Sequence, residues 1–333
     1  MLKIDQAKLP ELLSAWARGA RVFVPQKREG TSVFTPWDGE GKLTLGQGNT
    51  LEPPKDLFFP RTETMYRYQV NGPAATLETM PPLEEKRVLV GIRSCDARSL
   101  LIMDDVFLTR GYVDEFYRQR RENTRIVALA CNEAQPYCFC TAFGIDPGRA
   151  EGADVQMWPG EGGYLLEAIT DAGKELLKQA GDLLEEAGDV QPPAAAAPGL
   201  QVDASGVTEK LQRMFEHPYW TAVSRKCLGC GACTYLCPTC HCFDIQGENQ
   251  GNSGYKFRCW DSCMFSEYTR MAGGHNPRPS KKERLRNRFL HKLQYFPERY
   301  GKFACVGCGR CLDRCPVNVD ITRVIREVKE VTL

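Results

Sequence analysis

Eight of the sixteen cysteines fall into two runs of identical spacing. The first is Cys227, Cys230, Cys233 and Cys237, followed by Pro238; the second is Cys305, Cys308, Cys311 and Cys315, followed by Pro316. Each reads C-x-x-C-x-x-C-x-x-x-C-P. Three thiolates so spaced wrap a tight loop around one [4Fe–4S] cubane, and the cysteine ahead of the proline ligates a second one. The predicted pairing is Cys227, Cys230 and Cys233 with Cys315, and Cys305, Cys308 and Cys311 with Cys237. Gly229, Gly231, Gly307 and Gly309 lie inside these loops, where backbone amides must approach sulfide and some residues need positive φ. The rival reading is a zinc-stapled structural scaffold. Zinc usually takes two C-x-x-C hooks and leaves the proline-flanked cysteine unexplained.

Two further sets have ligand-like placement. Cys95 and Cys131 each follow a predicted strand. If those strands are neighbours, both thiols emerge at one edge of the sheet. Cys138 and Cys140 come from the loop at 135–140. Together the four make a candidate third [4Fe–4S] site; the alternative is inert, buried thiols. Cys240, Cys242, Cys259 and Cys263 form the other set, as Cys-x-Cys and Cys-x-x-x-Cys arms flanking a Gly/Asn-rich loop. A fourth cluster, a zinc site with mixed ligands (His241 lies between two of the cysteines) and structural thiols all remain open there.

These cysteines need elements to hold them. The fold class read from the sequence is α+β: an N-terminal mixed α/β domain, then a C-terminal, mostly helical domain around a bacterial ferredoxin-like core for two [4Fe–4S] clusters, carrying a long insertion. The expected boundaries are 1–181 for the α/β domain, 182–206 for a Pro/Ala-rich linker and 207–333 for the cluster domain, with the insertion at 239–304. Buried strands are expected at 86–91 and 125–130, and shorter ones at 21–25 and 57–60. Helices are expected at 97–108, 163–181 and 207–215. A terminal helix should begin after the N-cap Asp320, with Ile321, Val324, Ile325 and Val328 on its apolar face.

At 333 residues, 42% hydrophobic and 26% charged, the composition is that of an ordinary globular protein of two or three domains. No apolar run approaches the roughly eighteen residues of a membrane helix, and the first ten residues lack a signal-peptide core. A cytoplasmic, reducing location is therefore expected, where cysteines serve as metal ligands rather than disulfides. The formal charge of +1 counts every thiol as neutral. Each oxidised cluster with four thiolates adds about −2. No basic patch interleaved with aromatics suggests nucleic acid. Lys281, Lys282, Arg284, Arg286, Arg288 and Lys292 are opposed in their run only by Glu283. They form either a solvated helix face or a cationic wall offsetting the thiolate charge. His217, His275 and His291 have no ligand-like spacing, and Trp260 reads as packing. There is no G-x-G-x-x-G after a strand, no Walker loop, no H-E-x-x-H and no nucleophile beside a base. No catalytic centre is recognised.

Four C-terminal segments carry a family likeness: CPTCHCF at 237–243, RCWDSCM at 258–264, MAGGHNPR at 271–278 and CVGCGRC at 305–311. With GIRSCDA at 91–97 and the Cys138–Phe139–Cys140 triplet, they resemble the beta subunit of cytosolic [NiFe] sulfhydrogenases. The corresponding 4Fe-4S dicluster subunit of anaerobic sulfite reductases is similar. The resemblance covers about residues 86–320. It implies an electron-transfer subunit of a hetero-oligomer. Such a chain passes electrons between two others: a flavin-bearing, NAD(P)-binding one and a catalytic one, hydrogenase or sulfite reductase. Electron-transfer subunits of heterodisulfide reductase-like complexes remain an alternative. All sixteen cysteines fall within the resembling region.

Overall fold

The computed structural model describes residues 1–332. Its strands in chain order are β1 (Leu2–Asp5), β2 (Arg21–Arg28), β3 (Thr31–Pro36), β4 (Thr62–Asn71), β5 (Ala74–Thr79), β6 (Arg87–Ile92), β7 (Thr124–Leu129), β8 (Val155–Gly160), β9 (Gly163–Ala168), β10 (Glu185–Glu186), β11 (Phe243–Gln250) and β12 (Ser253–Trp260). They form an eight-stranded sheet, ordered β10-β1-β9-β8-β7-β6-β2-β3, and a four-stranded sheet, ordered β11-β12-β4-β5.

In the large sheet β2, β6, β7 and β8 run parallel, and the flanking strands are antiparallel. The parallel centre explains the valine-rich runs, because such strands are buried on both faces. Val88, Leu89 and Val90 of β6 and Ile126, Val127 and Ala128 of β7 are all buried. One face packs on the helix Leu9–Ala17 through Leu12, Leu13 and Trp16. The other packs on the helix Ser94–Leu108 through Ala97, Leu100 and Met103.

The small sheet ties the two ends of the chain together. The hairpin β11–β12 lies in the expected insertion, and β12 pairs with β4 from the N-terminal region. Arg258 of β12 is fully buried, bonds Glu63 of β4 at 2.7 Å and Asp114, and lies over the rings of Phe59, Phe107, Phe116 and Phe243. A buried guanidinium needs such charged partners, since stripping its water is otherwise costly.

The C-terminal elements share a separate core. The helix Lys281–Leu290 continues through a π-turn, His291–Tyr295, into the helix Phe296–Tyr300. Leu285, Phe289 and Leu293 meet Leu211, Met214, Trp220 and the terminal helix. That terminal helix, Ile321–Glu330, is capped by Asp320, whose carboxylate accepts from Thr322 N and Arg323 N. Its Ile321, Val324, Ile325 and Val328 are buried, as the apolar periodicity predicts.

Other expectations need correcting. Residues 57–60 are not a strand. Consecutive prolines start the 3-10 turn Pro54–Leu57, and Phe58 and Phe59 are both buried, which alternation across a one-sided strand forbids. Residues 163–181 are not one helix. A two-residue hairpin at Glu161–Gly162 returns the chain as β9, and a helix starts only at Asp171, after the N-cap Thr170. The predicted helix at 207–215 is helical only over Val207–Leu211. The segment 182–206 contributes β10 and is tethered beyond it, Ala196 N donating to Cys131 O at 2.9 Å and Leu200 N to Cys138 O at 2.9 Å. Low side-chain complexity concealed these main-chain bonds.

Candidate metal centres

Each ferredoxin-type run folds into the same local shape. Gly231 and Gly309, at φ +78° and +79°, immediately precede the short helices Ala232–Tyr235 and Arg310–Asp313. Those helices carry the third cysteine of each run, Cys233 and Cys311, and the fourth follows within a turn. Positive φ here turns the ligand loop back on itself, which glycine does without a Cβ penalty. Gly229 and Gly307 are also in the positive-φ region.

Three cavities follow from this framework. Cys227, Cys230, Cys233 and Cys315 line one, with an empty volume of about 420 Å³. Cys305, Cys308, Cys311 and Cys237 line a second, of about 330 Å³. Cys95, Cys131, Cys138 and Cys140 line a third, of about 430 Å³, at the carboxyl ends of the adjacent parallel strands β6 and β7. Each cavity gathers four cysteines in the combination expected from sequence.

The cavities adjoin in series. Arg288 lines the first and the second; Gly307 lines the second and the third. A Cβ on Gly307 would meet the Phe139 carbonyl at 2.5 Å and Cys140 N at 2.6 Å, so the two ligand loops interlock there. Phe139 N donates to Gly307 O at 2.8 Å across that contact. At the outer end of the series Cys230 and Leu228 are exposed; near the opposite end Tyr137 is.

The surroundings suit anionic sulfur clusters. Gly229 N donates to Cys227 Sγ at 3.4 Å and Val319 N to Cys315 Sγ at 3.1 Å. Lys292 Nζ donates to Cys237 Sγ at 3.1 Å, with Thr239 Oγ1 and the Ala304 carbonyl as its other partners. Burial pushes the Cys305 and Cys308 thiols up to about 12, Cys140 to about 12 and Cys138 to about 11. A thiolate in such places needs positive charge beside it. Burial alone pulls Arg288 and Lys292 down, but the surrounding thiolates outweigh it and hold both cations above their ordinary values. Arg288 Nε is buried and finds no hydrogen-bond partner among the described residues. Two buried cations beside cysteines, one with an unmet donor, fit a bound anionic group.

The basic run therefore divides. Arg288 and Lys292 turn inward to the cysteines. Arg286 stacks on Phe215 at 3.7 Å, and Arg284 donates to the carbonyls of Arg278 and Pro279. Lys281 is exposed.

The remaining four cysteines are dispersed. Cys240 hydrogen-bonds Cys237, and Cys242 hydrogen-bonds Cys263 beside Tyr268. Cys259 sits on β12 opposite Asp244 and Thr62. Strand alternation turns it to the face away from Arg258 and Trp260, its buried or packed neighbours. His241 packs edge-on to His291 at 5.4 Å, and its Nδ1 lies 3.0 Å from Thr239 O. Among the described residues, no three His, Cys, Asp or Glu side chains are close enough to hold one metal ion. Trp260 stacks on Phe59 and donates Nε1–H to the Phe59 carbonyl at 2.9 Å, a packing role.

Several residues beside the cavities carry no signal of their role in the sequence. Asn49 lines the third cavity; its Nδ2 donates to Cys308 O at 3.1 Å and approaches Cys138 Sγ at 4.0 Å. Arg310 and Asp96 form a buried bidentate pair, at 2.6 and 2.7 Å, between the second and third cavities. Ala196 and Pro198 of the tethered segment close the third cavity's rim. Nothing in the spacing of Asn49 distinguishes it from any loop asparagine. Asp96 and Arg310 each adjoin a candidate ligand, Cys95 and Cys311, and that adjacency could have found them.

Comparison with known proteins bears on the whole chain. Residues 226–319 match the family of 4Fe-4S dicluster domains. The chain is 30% identical to sulfhydrogenase 2 subunit beta of Pyrococcus furiosus over 338 aligned positions, covering 99% of this chain and 98% of the relative. The chain belongs to the sulfhydrogenase beta-subunit family. As a member, it is an iron–sulfur electron-transfer subunit with [4Fe–4S] clusters in its dicluster domain. No solved structure matches the chain. No helix among the described residues of this beta-subunit homologue is long and apolar enough to cross a membrane.

Proposed function

We propose that the chain is a one-electron relay with three [4Fe–4S] sites in series, joining a flavin- and NAD(P)-binding subunit to a catalytic hydrogenase subunit in a cytoplasmic complex. The observation that carries this reading is the row of three adjoining cavities, each bounded by four cysteines. The ligand sets are Cys227, Cys230, Cys233 and Cys315; Cys305, Cys308, Cys311 and Cys237; and Cys95, Cys131, Cys138 and Cys140. A bound cubane takes up and returns one electron with little rearrangement of its ligands.

The protein's own part is to hold and insulate these centres. The interlocked loops at Gly307 and Phe139 keep the second and third sites adjacent. Arg288 stands between the first and second. Exposed Leu228 and Cys230 offer one end of the series to a partner, and Tyr137 marks the other. Four cysteines at the third cavity argue against a cluster with an open coordination position, and so against a substrate-reducing centre there. The spread of ligating side chains beyond single-ion reach weighs against a zinc scaffold.

Iron and acid-labile sulfide counted after anaerobic purification test the reading. Roughly twelve irons per chain are expected, four per cubane. Eight would remove the third site; zinc in place of iron would remove the relay. Co-purification of flavin- and nickel-containing chains with a tagged version of this one tests the partners.

A further inference from the structure

Lys292 and Arg288 are drawn deep into the cluster region, 3% and 4% exposed. The π-turn His291–Tyr295 bears directly on Lys292. An extra residue in that turn changes the angle of the side chains and frees the Lys292 carbonyl, which accepts from Ala304 N at 3.0 Å. Lys292 Nζ then reaches Cys237 Sγ at 3.1 Å. Arg288, one turn earlier, donates Nη2–H to Cys233 O at 3.3 Å and borders both the first and second cavities. Neither hydrogen-bonds a carboxylate.

Other interior cations near the series differ. Arg310 is matched by Asp96, so that pair adds little net charge to the third cavity. Arg93 and Lys55 are buried too but line none of the three. The second cavity is thus lined by two buried cations without acidic partners, the first by one, and the third by none.

Added negative charge is favoured where fixed positive charge and donors to sulfur face it in a dry interior. We infer that Lys292 and Arg288 act as positioning charges that raise the reduction potential of the middle site, the one bounded by Cys237, Cys305, Cys308 and Cys311, above both its neighbours. The middle site is then where a single electron rests between arrival at one end and departure from the other. This rests on the three-site relay proposed above.

The test is a redox titration followed by electron paramagnetic resonance on the anaerobically purified chain and its variants, with iron counted in each. Lys292→Met removes the charge and the Cys237 hydrogen bond and should lower one midpoint potential. Arg288→Gln should lower two, because Arg288 faces two cavities. Lys292→Arg should restore most of the Lys292→Met shift. Equal iron with no shift, or Lys292→Met moving an end site more than the middle one, overturns the inference. Should Lys292→Met lose iron, Lys292→Gln decides, keeping a donor without the charge: a lowered midpoint supports the inference and an unchanged one overturns it. Fewer than about twelve irons in the unaltered chain would instead count against the three-site reading, and the one-versus-two pattern of shifts would still be read on the remaining pair.

Discussion

Arg310 grips Asp96 with two parallel hydrogen bonds, of 2.6 and 2.7 Å, and joins the second cysteine run to the loop that carries Cys95. Both side chains are almost wholly buried, and Arg310 also donates to Thr50 O at 2.9 Å. The pair is the electrostatic joint between the N-terminal sheet and the cluster core. Removing one partner strands a buried charge, which costs about 3–5 kcal/mol. Asp96→Asn should therefore lower stability by that order in anaerobic denaturant titrations. The double variant Asp96→Leu with Arg310→Met, lacking any stranded charge, should lose less. Equal losses would show that the pair is not a joint.

Cys95 and Cys259 make a matched contrast. Cys95→Ser should remove about four irons per chain and leave the signals of the dicluster domain in place. Cys259→Ser should leave iron and sulfide unchanged, because its strand face turns it away from the cavities. Iron loss from the second variant would revive a fourth metal site.

Gly307 is held at φ +60° against Phe139 and Cys140. Gly307→Ala places a Cβ on the Phe139 carbonyl and adds about 1–2 kcal/mol of positive-φ strain before any clash is counted. The variant should unfold at lower denaturant and lose iron from the second and third sites together. A lower denaturation midpoint with full iron would mean that the loops can separate without harm to either.

Segment 182–206 offers a test by proteolysis. Gly199 packs so closely that a Cβ would meet Gln135 O at 2.5 Å and Pro136 O at 2.7 Å. The native chain should resist cleavage across 191–200 despite its linker-like composition. Gly199→Val should make the segment cleavable at the same protease concentration, and air should bleach the third site faster. Cleavage of the native chain at the rate of a free peptide would contradict the tether.

Removing the clusters should reverse the effect of Lys292 on stability. With anionic centres bound, the ammonium is matched; without them it is a buried charge that costs on the order of a few kcal/mol. Lys292→Met should thus stabilise the chelator-stripped chain and destabilise the loaded one. The sign change, read by denaturation of both forms, is the measurement.

The amino-acid sequence by itself settled what depends on short stretches of chain. C-x-x-C-x-x-C with internal glycines brings three thiols around one centre whatever surrounds it, and the valine-rich runs at 86–91 and 125–130 form strands because their side chains must be buried on both faces. The helix after Asp320 follows likewise from its cap and apolar stripe. Tertiary structure decided what depends on distant pieces meeting. Whether Cys95 and Cys131 share an edge rests on β6 lying beside β7. That Cys259 parts from Cys263 rests on which face of β12 is buried against Phe59. That Arg288 and Lys292 face sulfur while Lys281 faces water rests on how one helix and its π-turn are rolled onto the core. Spacing constrains neighbours along the chain. Approach between residues hundreds of positions apart is set only by the packing of everything between them.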